Sequence, residues 1–185
     1  MNYRIFELLN SQAGRWPLID HVMRFSALYL VFLVFSIGGA VVVHALTQHR
    51  LRPVVSLAST LALAFGLSQI LGHASHELRP FQSHPVHQLI AHSPGVSMPS
   101  DHATAAFAVA FGIMTFLSRR AGLALTALAI LIGVARVWCG LHYPGDILAG
   151  VGIAAIAVLT AYVVGRGPVL EPRRAGPGSS HQSFG

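Results

Sequence analysis

The sequence predicts an all-α integral membrane protein, a bundle of five transmembrane helices with a short interfacial helix at its N-terminus. Three observations predict this class. Of 185 residues, 54% are apolar and only 10% are charged, where a soluble domain carries roughly a quarter. Mean hydropathy is +0.62. Apolar runs of helix length, each with no charge or a single charge near one end, recur along the chain.

The elements follow in order. Tyr3 to Asn10 sets Ile5, Phe6, Leu8 and Leu9 among Arg4 and Glu7. It is too short to span and reads as an interfacial helix. It lacks the basic n-region, long h-region and small-residue cleavage site of a signal peptide. Phe25–Leu46 is free of charge and meets the roughly 20 residues that a bilayer core of about 30 Å requires. Pro53–Gly72 is the second span, with proline in its first turn, where a missing N–H costs nothing. Ser100–Ser118, Ala121–Trp138 and Ile147–Gly165 are the third, fourth and fifth, each apolar all round. Gly150 and Gly152 in the last span read as small residues for helix packing. Residues 1–165 form one membrane-embedded domain. Residues 166–185, rich in proline, glycine and serine, are expected to be a disordered cytoplasmic tail.

Five spans create two faces. One face receives residues 1–24, the long loop 73–99 and the short loop 139–146. The other receives 47–52, the turn at Arg119-Arg120, and the tail. All twelve basic residues are arginines. Seven fall on the second face (Arg50, Arg52, Arg119, Arg120, Arg166, Arg173, Arg174) and five on the first (Arg4, Arg15, Arg24, Arg79, Arg136). The positive-inside rule therefore places the second face in the cytoplasm and the first outside. The net charge of +6 invites a nucleic-acid reading, but arginines scattered between apolar runs form no basic face. The one cysteine, Cys139, excludes an internal disulfide.

Polar residues are costly in such a chain, so where they gather is informative. They gather on the first face, in three segments. These are His76-Glu77-Leu78-Arg79-Pro80-Phe81, Met98-Pro99-Ser100-Asp101-His102, and the stretch from Arg136 to Asp146 that contains His142. Helix topology returns all three to one membrane surface. Together they supply arginines for equatorial oxygens, a nucleophile, and an acid for a leaving group, which is the equipment for phosphoryl transfer.

Arg79-Pro80, Pro99-Ser100-Asp101-His102 and Arg136-x5-His142-x3-Asp146 resemble the three signature motifs of the type 2 phosphatidic acid phosphatase superfamily. Aspartate at 101, Arg136-Val137-Trp138, His142 to Asp146, Glu77 to Phe81 and the opening Met1-Asn2-Tyr3 resemble its bacterial undecaprenyl-diphosphatases of the bacitracin-resistance type. The resemblance runs over about residues 1–165. It departs at Gly72, where the superfamily has lysine, and at Ala135, where serine is usual. With no lysine in the chain, the phosphate clamp falls to arginine, which binds phosphate bidentately, and His73 or His76 could contribute.

The resemblance implies hydrolysis of undecaprenyl diphosphate to the monophosphate at the outer face of a bacterial inner membrane, through a phosphohistidine, recycling a cell-wall carrier lipid. It implies His142 as nucleophile, His102 as general acid and then base, and Asp146 as the partner that orients His142. Arg79, Ser100 and Arg136 would bind the phosphate, with Glu77 and Asp101 as possible accessory groups. Elementary chemistry agrees with several of these roles. Pro144 disfavours helix at Tyr143, so His142 belongs to a loop. Asp146 falls where the last helix starts, as an N-cap would. Ser100 opens a helix whose N-terminus attracts anions. Asp101, a carboxylate beside an anion site, is expected to turn away. No metal or other cofactor is implied, since the arginines supply the electrostatics; the expected partners are a polyprenyl diphosphate and membrane lipids.

Other readings stay open. The substrate could be phosphatidic acid, phosphatidylglycerophosphate or another lipid phosphate. A non-catalytic, metal-handling membrane protein could use His84, His87 and His92, although they lack carboxylate or cysteine company. Glu77 could pair with an arginine. Cys139 fails as a phosphatase nucleophile on spacing, because Gly145 stands where that chemistry places an arginine. Packing is its default role.

Overall fold

The computed structural model describes residues 2–165. The tail expected to be disordered lies outside the described residues. Within them the chain forms seven helices: α1 (Asn2–Asn10), α2 (Pro17–Thr47), α3 (Leu51–Ala74), α4 (Pro80–Ser83), α5 (Asp101–Phe116), α6 (Arg119–Trp138) and α7 (Pro144–Gly165). The extended pairing among them is one isolated antiparallel bridge, Leu78 with Val96. Four helices, α2, α3, α6 and α7, are long and apolar enough to cross a membrane.

The third expected span, Ser100–Ser118, is shorter than the sequence suggested. α5 has 16 residues, about 24 Å at 1.5 Å per residue. Its ends explain the difference. Ser100 is non-helical at φ −77°, ψ 112°, following Pro99. At the other end the amides of Leu117 and Ser118 both reach back to the carbonyl of Ile113. Ser118 is given over to capping α6, its hydroxyl accepting from the Ala121 amide. The reverse error occurs at α2, which begins eight residues before Phe25. Pro17 is preset for the first turn, and polar Asp20, His21 and Arg24 broke the apolar run from which the start was read.

α5 is the centre of the bundle and packs against α2, α3, α6 and α7. Alanine and glycine on its faces allow that closeness. Ala103, Ala106, Ala108 and Ala110 are fully buried, and a Cβ at Gly112 would sit 2.5 Å from Leu57 Cδ1. α7 approaches α5 at Gly150, where a Cβ would lie 2.8 Å from Thr104 Oγ1 and 3.0 Å from the Thr104 amide nitrogen. Gly152 meets nothing, so of the two glycines expected to serve packing only Gly150 does so. Small residues at helix crossings suit a membrane bundle, where apolar area alone gives no preference for protein over lipid.

α1 is amphipathic and lies against the ends of α6 and α7. Phe6 is buried and meets the Tyr143 ring edge-on at a centroid distance of 5.5 Å. Buried Asn10 donates to the carbonyls of His87 and Trp138, 2.9 Å each, and accepts from the His87 amide at 2.9 Å. One side chain thus ties α1 to the α4–α5 loop and to the end of α6. Asp20 does the same for α2, accepting from the Trp138 indole at 2.8 Å and from the Gly14 amide at 3.0 Å.

Candidate active site

The three polar segments converge, as helix topology required. Arg136 occupies the last turn of α6 with its side chain inside the bundle. The chain then turns through Gly140 at φ +78°, a left-handed conformation suited to glycine. A Cβ there would also lie 3.0 Å from the His87 carbonyl oxygen. Leu141 and His142 follow in this turn, and α7 starts at Pro144, which needs no N–H partner. Asp146 is therefore the third helical residue and not the N-cap. Its carboxylate reaches back to the Tyr143 amide at 2.8 Å, the reciprocal half of a capping box.

His142 is 2% exposed, and its two ring nitrogens face opposite chemistries. Nδ1 lies 2.9 Å from the Ser97 carbonyl oxygen and 3.3 Å from Asp146 Oδ2. Both are acceptors, so Nδ1 carries the hydrogen. Nε2 lies 3.1 Å from Arg79 Nη1 and 3.3 Å from Arg136 Nη2. Both are donors, so Nε2 presents its lone pair. Burial, reinforced by Arg136 and Arg79 and opposed by the bond to Asp146, pushes the imidazole from 6.5 down to about 4. It is neutral at pH 7, as a nitrogen nucleophile must be.

Two guanidinium groups meeting at one neutral nitrogen leave the locus short of negative charge. Among the described residues no carboxylate lies within 4.0 Å of either guanidinium. Asp146 is on the far side of the ring, where its Oδ2 also takes the hydroxyl proton of Ser97 and the Tyr143 amide. Among the described residues Arg79 Nε, Arg136 Nε, Ser100 Oγ and, across the ring, Asp146 Oδ1 are buried and make no hydrogen bond. Each unpaired buried donor costs about 1–3 kcal/mol. An oxyanion at this locus would satisfy donors and charge together.

Ser100 is the N-cap of α5 by backbone conformation, but its hydroxyl does not cap. Its amide donates to the Asp146 carbonyl at 3.2 Å, which fixes the start of α5 to α7. His102, in the first turn of α5, is half-buried and within Coulombic reach of Arg136, His142 and Arg79. Asp101 is turned toward α3, where its Oδ1 accepts from Ser68 Oγ at 3.3 Å. Among the described residues Glu77 pairs with no arginine; its Oε1 accepts from Asn2 Nδ2 at 3.3 Å. Burial and then Asp146 raise the Glu77 carboxyl above its ordinary value. Burial pushes the Cys139 thiol up to about 11, so it is protonated and inert at neutral pH.

Arg79 also lines a polar cavity of about 440 Å³ with His73, His76, Gln69, Ser68 and Asp101. The last three are shared with an apolar groove of about 400 Å³ that runs down α3 and α5 past Leu61, Phe65 and Ala108 to Phe35 of α2. A charged recess at a helix end thus adjoins an apolar track along α3 and α5.

Motif spacing identified His142, Asp146, Arg136 and Arg79. Ser97 and the tie residues Asn10, Asn2 and Asp20 escaped it. Ser97 carried one signal, as a polar residue beside the second motif, and Asn2 another, in the opening Met1-Asn2-Tyr3; Asn10 and Asp20 carried none beyond being polar in an apolar chain.

Residues 53–167 match the PAP2 superfamily. The chain is 33% identical over 156 residues to undecaprenyl-diphosphatase BcrC of Bacillus subtilis (strain 168), covering 84% of this chain and 80% of that one. It shares its fold with Aquifex aeolicus LpxE at a TM-score of 0.72 and 22% identity, over 88% of this chain and 94% of the other. A transmembrane PAP2-type phosphatidylglycerolphosphate phosphatase from Bacillus subtilis superposes with a TM-score of 0.59 at 20% identity, over 88% and 85%. The chain described here is a membrane protein of the PAP2 phosphatase superfamily.

Proposed function

We propose that this protein hydrolyses undecaprenyl diphosphate to undecaprenyl phosphate through a phosphohistidine at His142. The observation that carries the chemistry is the division of the imidazole, with acceptors around Nδ1 and two arginine donors at Nε2. In the first step the Nε2 lone pair attacks the terminal phosphorus while the bond to the bridging oxygen breaks. His102 gives that oxygen a proton, and undecaprenyl phosphate leaves. In the second step His102 takes a proton from water, and the hydroxide displaces His142 to release phosphate. Arg79, Arg136 and Ser100 carry the charge on the equatorial oxygens in both steps. Asp146 stabilises the positive charge that develops on the ring, as the aspartate does in hydrolytic triads.

The choice of substrate rests on the similarity to undecaprenyl-diphosphatase BcrC over most of both chains. The apolar groove beside the polar cavity suits a long polyprenyl chain that stays in the bilayer while its diphosphate meets Arg79. With α5 read as a short fifth span, the excess of arginines on the opposite turns supports a site on the outer face of a bacterial inner membrane. Purified protein is expected to release phosphate from undecaprenyl diphosphate faster than from phosphatidic acid, phosphatidylglycerophosphate or lipid A at matched detergent. His142→Ala is expected to abolish that release. A variant that remains active removes His142 as nucleophile, and a reversed order within the panel reassigns the lipid.

A further inference from the structure

We infer that Ser97 is a positioning residue that orients the His142 nucleophile from both its backbone and its side chain. The inference rests on the phosphohistidine reading of the site. Ser97 lies in the segment between α4 and α5 and is completely buried, 45 residues away from His142 in sequence. Its carbonyl is the nearer acceptor for Nδ1, at 2.9 Å against 3.3 Å for Asp146 Oδ2. Its hydroxyl donates to that same Asp146 Oδ2. One residue thus closes a ring in which His142 donates to Ser97 and Asp146, and Ser97 donates to Asp146.

The two contacts have different consequences. The carbonyl fixes the tautomer and the tilt of the ring, so Nε2 points at Arg79 and Arg136. The hydroxyl, with the Tyr143 amide, occupies Oδ2 and fixes the carboxylate in place. Asp146 is therefore held aligned with the imidazole by groups other than the ring itself. The segment itself is held in register by the Ser97 amide on the Glu77 carbonyl at 2.8 Å and by the Leu78–Val96 bridge. That strap runs beside Arg79, so the nucleophile and its first arginine are set by the same piece of backbone.

Removal of the hydroxyl by Ser97→Ala leaves the carbonyl in place. An orienting partner of this kind is worth about ten- to a hundredfold in activity where it has been measured around metal ligands. The expected result is a fall in kcat of about that size with KM within about twofold. The acid limb of kcat/KM moves to higher pH, because the carboxylate loses a donor to its charged form and binds the imidazole proton more strongly. Ser97→Thr restores both, and Ser97→Cys, close in size but a weak donor, does not. In an Asp146→Asn background Ser97→Ala costs little further, because the hydroxyl acts through that carboxylate.

Nitrogen-15 NMR of histidine-labelled, otherwise unaltered protein, with His142→Gln to identify the signal, reads the tautomer with no substrate at all. Hydrogen on Nδ1 and a bare Nε2 are expected. Parent-like rates and pH profile in Ser97→Ala overturn the inference, as do additive losses with Asp146→Asn or a hydrogen on Nε2. Were the phosphohistidine reading itself at fault, His142→Ala would still turn over; if only the Ser97 inference is wrong, His142→Ala is dead while Ser97→Ala is normal.

Discussion

At the scale of single residues, His142 shows how one buried ring can be specified from four sides. Two acceptors, Ser97 and Asp146, and two arginine donors leave one tautomer. Its burial also has a thermodynamic consequence. The folded imidazole titrates at about 4, below the 6.5 of an unperturbed histidine. Between those values the unfolded chain holds a proton that the folded chain refuses, so stability falls as pH drops through that window. The expected loss is on the order of 3 kcal/mol by linkage. Thermal unfolding in detergent between pH 7 and pH 4 checks it, and His142→Gln is expected to show a shallower decline. Much of this locus was legible in the sequence, because Arg136, His142 and Asp146 stand at fixed offsets across the single turn from α6 to α7. Ser97 was not, because a carbonyl contact leaves no mark on residue type and its partner lies 45 positions away.

At the scale of elements, the helices were readable wherever apolar runs were unbroken, and α3, α6 and α7 begin and end within three residues of expectation. The misreadings share a physical cause. Hydropathy reports the lipid-facing length of a helix, whereas proline and capping residues set its hydrogen-bonded length. Pro17 and Pro144 therefore start α2 and α7 early, and Ser100 and Ser118 bound α5 tightly. The four-residue α4 was invisible to periodicity for the same reason. Asn10 fastens the C-terminal end of the short α1 by a polar side chain, and all its hydrogen bonds are to backbone groups or made by them. Asn10→Ala removes three hydrogen bonds and strands the His87 and Trp138 backbone groups. The expected cost is about 1–3 kcal/mol of stability, read as a lower melting temperature in detergent. An unchanged melting temperature would mean that α1 is held by Phe6 and its neighbours alone.

At the scale of the whole molecule, α5 is short, central and rich in alanine, and every other long helix packs around it. Its N-terminus carries Ser100 and His102 to the locus where α6 brings Arg136 and the α6–α7 turn brings His142. The bundle thus assembles its chemistry at one end, with the arginine-rich turns at the other, where Arg50 reaches the Phe116 and Leu117 carbonyls at the C-terminus of α5. The proposed sidedness follows from that polarity. Cys139 is buried, so cysteines introduced at exposed Ser93 and Gln48 can be read separately. In intact cells a membrane-impermeant maleimide is expected to label Ser93→Cys at once and Gln48→Cys only after lysis. The opposite pattern would turn the site toward the cytoplasm.

Passage of phosphate through the Nε2 nitrogen of His142 is tested most directly by single-turnover reaction with undecaprenyl diphosphate carrying radiolabel in its terminal phosphate, quenched in alkali. An acid-labile, alkali-stable label on His142 that appears before free phosphate and is absent from His142→Ala is the expected result. Turnover without a labelled protein, or a label on any other residue, would contradict it.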